Sequence, residues 1–302
     1  MVPGCSAIAR VAAVGPDATL LKPGDLVHVD MTVRGRDDPT AMMLSGIIQG
    51  GTEGSKKLME GEWRDSTYAE YAKVPMETCA LLNEKRLCGD GGLGYKVEEL
   101  ATISQPLVPY GGLRDAGVQA GETVIVAPAT GAFGQAAVQM AVAMGAKVIA
   151  MGRNKSTLES IAQTNPNRIV TVPITGDVEA DTSALKAHGP IDVYFDISPP
   201  QAAGSTHLKS CILALCHAGR VSLMGGIRGD VEVPYTWVMR NNISFRGKWM
   251  YERSDVRALV RMVEEDMLRL RGKVRGFGLG EWEKAFDKAA EGKVGESVVL
   301  MP

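Results

Sequence analysis

Gly121-Glu-Thr-Val-Ile-Val-Ala-Pro-Ala-Thr-Gly-Ala-Phe-Gly134 is the stretch whose reading decides the fold. Val124, Ile125, Val126 and Ala127 form a short apolar run rich in β-branched residues, the pattern of a strand buried on both faces. Ala129-Thr-Gly131-Ala-Phe-Gly134 follows, a Gly-x-Gly-x-x-Gly pattern with Ala in the first place. Residues 135–144 are helix formers without Pro. Strand, glycine turn and helix in that order is the context in which this motif marks a dinucleotide site. Gly131 lets the backbone approach a diphosphate, and Gly134 lets the helix sit tight on the strand. The helix N-terminus offers unpaired N–H groups and the positive end of its dipole.

Working outward, the pattern repeats. Strands are expected at 147–151, 168–172, 191–197, 220–224 and 243–247, with helices at 156–164, 178–188 and 205–218 between them. Alternation of this kind predicts right-handed crossovers and a doubly wound parallel sheet, an α/β fold of the Rossmann type. Ligands of such sheets bind at the carboxyl ends of the strands. The loops at 128–133, 152–155, 196–199, 225–227 and 248–250 therefore form one candidate site.

The first hundred residues read differently. Strands are expected at 7–14, 26–29 and 68–75, the last stopped by Pro75. Residues 50–66 carry glycines and charges and read as a long surface excursion, and 89–94 as a glycine-rich loop. The shift in composition near residue 106 marks a domain boundary. Residues 253–271 alternate charges with aliphatics and read as a surface helix.

Net charge is −2, so no basic field for nucleic acid is expected. No apolar run reaches transmembrane length. Met1-Val-Pro-Gly-Cys-Ser6 lacks the charged start and apolar core of a signal peptide, so the cytoplasm is the expected location. The five cysteines are scattered at spacings that suit no disulfide framework. Neither they nor the four histidines show a metal-ligand spacing, so no metal is expected.

The second strand of an NAD-binding unit usually ends in Asp or Glu, which bonds the adenosine ribose. Here it ends in Gly152, followed by Arg153-Asn154-Lys155. A carboxylate would repel a 2′-phosphate and Gly leaves room for one. Arg153 can bond it in forked geometry, and Lys155 adds charge. The expected coenzyme is NADPH rather than NADH.

Taken together these residues resemble the medium-chain dehydrogenase/reductase family, in its zinc-free, quinone-reductase-like or enoyl-reductase-like branch. The resemblance rests on the glycine motif and on Val11-Ala-Ala-Val-Gly15, Lys22-Pro-Gly-Asp-Leu-Val27, Tyr68-Ala-Glu-Tyr71, Arg220-Val-Ser-Leu-Met-Gly-Gly226 and Gly295-Glu-Ser-Val-Val299. It implies a GroES-like β-rich substrate domain at 1–107, incomplete at its N-terminus, and a nucleotide domain at 108–250. A return to the first domain follows at 251–302. Carried over by position, Thr130, Gly131, Ala132, Phe133 and Gly134 would meet the diphosphate. Gly152, Arg153, Asn154 and Lys155 would meet the 2′-phosphate. Ser198 would lie near the adenine side, and Gly225, Gly226 and Ile227 near the nicotinamide. Lys248, Trp249 and Met250 match the loop that bonds the nicotinamide end. Tyr110 is the candidate proton donor. Zinc-dependent members carry Gly-His-Glu where this chain has Gly4-Cys5-Ser6, so zinc catalysis is not expected.

The resemblance implies hydride transfer from NADPH to a small-molecule acceptor, an activated double bond or carbonyl, by a homodimer. Three alternatives stay open at this point: a non-catalytic NADPH-binding, redox-sensing protein; a non-redox synthase or cyclase on the same scaffold; and an alcohol dehydrogenase.

Overall fold

The chain before residue 105 makes short strands, because its apolar runs are short and each is cut by a turn. The computed structural model describes residues 1–292 and 295–302. One unit joins Met1–Ser104 to Arg253–Pro302, and a second is Gln105–Glu252.

The first unit begins with β1 (Ala7–Arg10), β2 (Leu26–Val29), β3 (Thr32–Arg34), β4 (Met42–Leu44), α1 (Glu53–Glu60), β5 (Cys79–Leu81) and α2 (Glu84–Cys88). β2 is the centre of an antiparallel sheet of order β1-β2-β5, and β3 pairs with β4. Residues 68–75 do not form the expected strand. Both edges of β2 are already taken by β1 and β5, so the alternating pattern finds no ladder there. Instead Tyr68 packs edge-on against Phe286, with ring centroids 6.1 Å apart.

The excursion at 50–66 holds a helix, α1. Thr52 Oγ1 accepts from the Ser55 N–H at 3.1 Å, and Ser55 Oγ accepts from the Thr52 N–H at 3.0 Å. This reciprocal cap satisfies two amides and starts the helix among residues otherwise poor in helix signal.

The second unit holds α3 (Ser104–Asp115), β6 (Thr123–Ala127), α4 (Ala132–Ala143), β7 (Lys147–Gly152), α5 (Lys155–Gln163) and β8 (Ile169–Pro173). It continues with α6 (Val178–Lys186), β9 (Val193–Asp196), α7 (His207–Ala214), β10 (Arg220–Leu223), α8 (Tyr235–Arg240) and β11 (Ser244–Gly247). The sheet order is β11-β10-β9-β6-β7-β8, and every pair is parallel. Val124, Ile125, Val126 and Ala127 are all fully buried, as a run without polar alternation requires of a strand covered on both faces. The strand order reverses between β6 and β9, so the crevice for a ligand opens at their carboxyl ends.

The chain then returns to the first unit through α9 (Arg253–Glu264), β12 (Lys273–Gly278), α10 (Trp282–Ala290) and β13 (Glu296–Met301), with β12 and β13 parallel. α9 is shorter than the helix expected at 253–271. It also buries Val256, Leu259, Val260 and Val263 along one face, so it packs rather than only covering surface. Among the described residues no helix is long and apolar enough to cross a membrane.

Candidate functional site

The loop after β6 is built by close approach. The Ala129 N–H donates to the Met151 carbonyl at 2.7 Å and ties the loop to β7. A Cβ on Gly134 would run into the Pro128 carbonyl oxygen and lie 2.8 Å from the Ala129 backbone, so only Gly allows α4 to start this near the strand. Gly131 is the N-cap of α4, and no side chain caps the helix. The N–H groups of its first turn therefore have no intrahelical acceptor. Gly131, Ala132 and Phe133 are exposed, Thr130 is half-buried, and a Cβ on Gly131 would have no described atom within 4 Å. An anion can reach the helix dipole here.

Next along the crevice, β7 ends in Gly152. A Cβ there would lie 2.7 Å from the Thr130 methyl, so this glycine also lets the first and second strand-end turns touch. Arg153 and Lys155 are exposed, and neither side chain has a hydrogen-bond or ion-pair partner among the described residues. Asn154 is differently employed. Its side chain accepts from the Thr157 N–H at 3.0 Å and the Ser156 hydroxyl at 2.9 Å, which caps α5.

On the other side of β6 lies a buried polar cluster that the sequence reading did not find. Asp196 closes β9 opposite Ala127 of β6. Its Oδ1 accepts from the Tyr194 hydroxyl at 2.9 Å and the Ser198 hydroxyl at 2.6 Å. Ser198 Oγ lies 2.9 Å from His207 Nε2, and His207 Nδ1 lies 2.7 Å from Ser205 Oγ. Asp196, Ser198 and His207 are each no more than 3% exposed. Burial, then the Asp196 charge, holds the Tyr194 phenol well above its ordinary range. The signal in the sequence was an aspartate ending an otherwise apolar strand. Ser198 thus has its hydroxyl engaged inside the unit, on the β9 side of β6, rather than free for the adenine contact expected of it.

Gly225 and Gly226 follow β10 and are exposed, while Ile227 packs partly against the core. The Gly226 N–H donates to the Ser198 carbonyl at 2.7 Å, and the Met224 N–H to that of Asp196 at 3.0 Å. Lys248 Nζ is held by Glu252 at 2.5 Å. Trp249 is 46% exposed, and Met250 is buried with φ 62°. Tyr110, the candidate proton donor, lies mid-helix in α3, 6% exposed, with the Arg114 guanidinium 5.6 Å from its ring centroid.

In the first unit Cys5 holds the place of the zinc-binding histidine implied by the resemblance. Its N–H donates to Thr67 Oγ1 at 3.1 Å, and burial and then Cys5 raise the Tyr68 phenol above its ordinary range. Among the described residues no three His, Cys, Asp or Glu side chains gather as a metal site. Among the described residues this donor set does not fit zinc.

A parallel sheet of this strand order, with a glycine turn where the order reverses, is the doubly wound architecture on which many proteins hold dinucleotides. A family model described as "Zinc-binding dehydrogenase" matches residues 132–265. The chain is 27% identical over 187 residues to the "Quinone oxidoreductase" of Sus scrofa, covering 61% of this chain and 52% of that protein. It is 27% identical over 243 residues to "Alcohol dehydrogenase 1" of Neurospora crassa, covering 78% and 64%. The chain thus spans between half and two thirds of the length of these two relatives. Its fold is that of an alcohol dehydrogenase from Thermus sp. ATN1, with TM-score 0.78 at 19% identity over 99% of this chain and 84% of that one. An NAD-dependent alcohol dehydrogenase matches with TM-score 0.74 at 22% identity over 100% and 82%. The nucleotide unit is thus similar to the family described as zinc-binding dehydrogenases, and the chain has the fold of these alcohol dehydrogenases.

Proposed function

We propose that the protein is an NADPH-dependent oxidoreductase that passes a hydride to an activated double bond or carbonyl, an enone, enoyl or quinone acceptor, without zinc. The observation that carries this reading is the end of β7, where Gly152 replaces an acid and Arg153 and Lys155 stand exposed without partners. Unpaired cations beside an open turn suit a 2′-phosphate, which carries close to two negative charges. The first-turn amides of α4 hold the diphosphate. Gly225, Gly226 and Ile227 form the floor beside the nicotinamide, and Glu252 fixes Lys248 near it.

A bound nicotinamide supplies the hydride. A conjugated carbonyl accepts it at the β-carbon without a Lewis acid, which agrees with a donor set unfit for zinc. With Tyr110 buried, water is the simpler source of the proton that completes the reduction.

The names of the relatives favour one other reading, alcohol oxidation. NADPH oxidation measured with a quinone, an enone and an aldehyde, and NADP⁺ reduction with a plain alcohol, separate the two. Turnover of quinone or enone is expected, and turnover of the alcohol and aldehyde alone refutes the enone reading. NADPH binding without any turnover leaves a coenzyme-binding protein that is not an enzyme.

The protein would act as a homodimer through β11, which pairs with β10 on one side only and is largely exposed. Light scattering of the intact chain giving a monomer mass would exclude this. All five cysteines are free, which suits a reducing cytoplasm.

A further inference from the structure

The cluster behind Gly225 is more than a satisfied core. Asp196 Oδ1 accepts hydrogen bonds from Tyr194 and Ser198. Oδ2 faces Gly225, where an added Cβ would lie 2.5 Å from it and 2.7 and 2.8 Å from the Ser198 carbonyl oxygen and nitrogen. The turn after β9 therefore fills the place of a side chain on Gly225, and the backbone bond from Gly226 to Ser198 locks the two turns together.

The hydrogen-bond directions follow from counting protons. Ser198 has one hydroxyl hydrogen and gives it to Asp196. His207 must then donate to Ser198 from Nε2, and its Nδ1 bonds the Ser205 hydroxyl. The chain Ser205, His207, Ser198, Asp196 is then continuous.

We propose that His207 is a positioning residue for the nicotinamide half of the coenzyme. It acts through Ser198 and Asp196 on the Gly225–Gly226 turn, and touches no ligand itself. The assignment rests on the coenzyme reading above. β9, β10 and β11 lie on one side of β6, and β7 with Gly152 and Arg153 on the other. Each half of a doubly wound sheet carries one nucleotide of the pair. Loosening the turn after β10 should therefore weaken the nicotinamide nucleotide and spare the adenosine one.

The test uses the intact chain and two ligands, NADPH and 2′,5′-ADP, which lacks the nicotinamide half. His207→Leu and Ser198→Ala should each raise the NADPH dissociation constant about tenfold, the scale of one buried hydrogen bond, with 2′,5′-ADP unchanged. His207→Gln keeps an N–H donor toward Ser198 and should stay within about threefold of the unsubstituted chain. The double variant should be no worse than either single one, since both break the same link. Equal weakening of both ligands, or no rescue by Gln, would reduce the cluster to a packing role and overturn the proposal. If His207→Leu fails to fold, Ser198→Ala with unaltered NADPH binding overturns it as well. Failure of the unsubstituted chain to bind NADPH is a different result: it removes the coenzyme reading and this proposal with it.

Discussion

A chain carrying Gly152→Asp and Arg153→Ser should bind NADPH about a hundredfold more weakly, with NADH binding unchanged or improved. Two effects add. The serine removes a forked, charge-assisted contact to the 2′-phosphate, on the order of 2 kcal/mol. The aspartate puts a negative charge where that phosphate would lie, and offers an acceptor to the two ribose hydroxyls of NADH instead. Crowding is the competing cause, because a Cβ at 152 meets the Thr130 methyl at 2.7 Å. Gly152→Ala carries the same crowding without charge and is the control. It should weaken both coenzymes alike and by less. Fluorescence titration with each coenzyme reads the result, and equal losses for the double variant would refute the 2′-phosphate site.

The other large effect is on acid stability. His28 lies at the centre of β2, between Ile8 and Ala80, and is fully buried. Neither ring nitrogen has a hydrogen-bond partner. Burial lowers its pKa from 6.5 to about 4. The imidazole is thus neutral in the folded chain where the unfolded chain already binds a proton. Its contribution to stability is fully present above pH 6.5 and is lost progressively as pH falls toward 4. The whole loss is on the order of 3 kcal/mol. His28→Leu, close in volume, should remove that slope. Urea unfolding of the two chains should give similar stability at neutral pH, or a small gain for Leu, which leaves no orphaned nitrogen. Near pH 4.5 the variant should be more stable by about 2 kcal/mol. Parallel pH profiles would show that His28 is not the group responsible.

The nucleotide unit was legible because its central strands are buried on both faces, and such strands show as plain apolar runs between turn residues. Val124 to Ala127 and the glycine turn after them needed no partner to be read. The parallel order followed from the helices expected between the strands as far as 220–224, whereas α8, a short helix before β11, was not expected. The first unit was harder, since its strands are short and half-exposed. Residues 68–75 had the right alternation, yet strand formation depends on a free neighbouring edge, and β2 had none to offer. α1 was hidden because two residues of its cap, Thr52 and Ser55, carry the start signal in a stretch poor in apolar residues. In the site, single positions along one loop could be read from the motif. The link from Asp196 through Ser198 to His207 could not, because it is made by folding residues from a strand end, a loop and a helix onto one point. Arg153 and Lys155 were visible as charges, whereas their lack of partners appeared only in three dimensions.

Calorimetric titration of the intact, unsubstituted chain with NADPH and separately with NADH tests the dinucleotide site most directly. Saturable uptake of one NADPH per chain, tighter than NADH by at least about tenfold, is the expected result. No heat of binding for either coenzyme at millimolar concentration, from a chain shown to be folded, would contradict it.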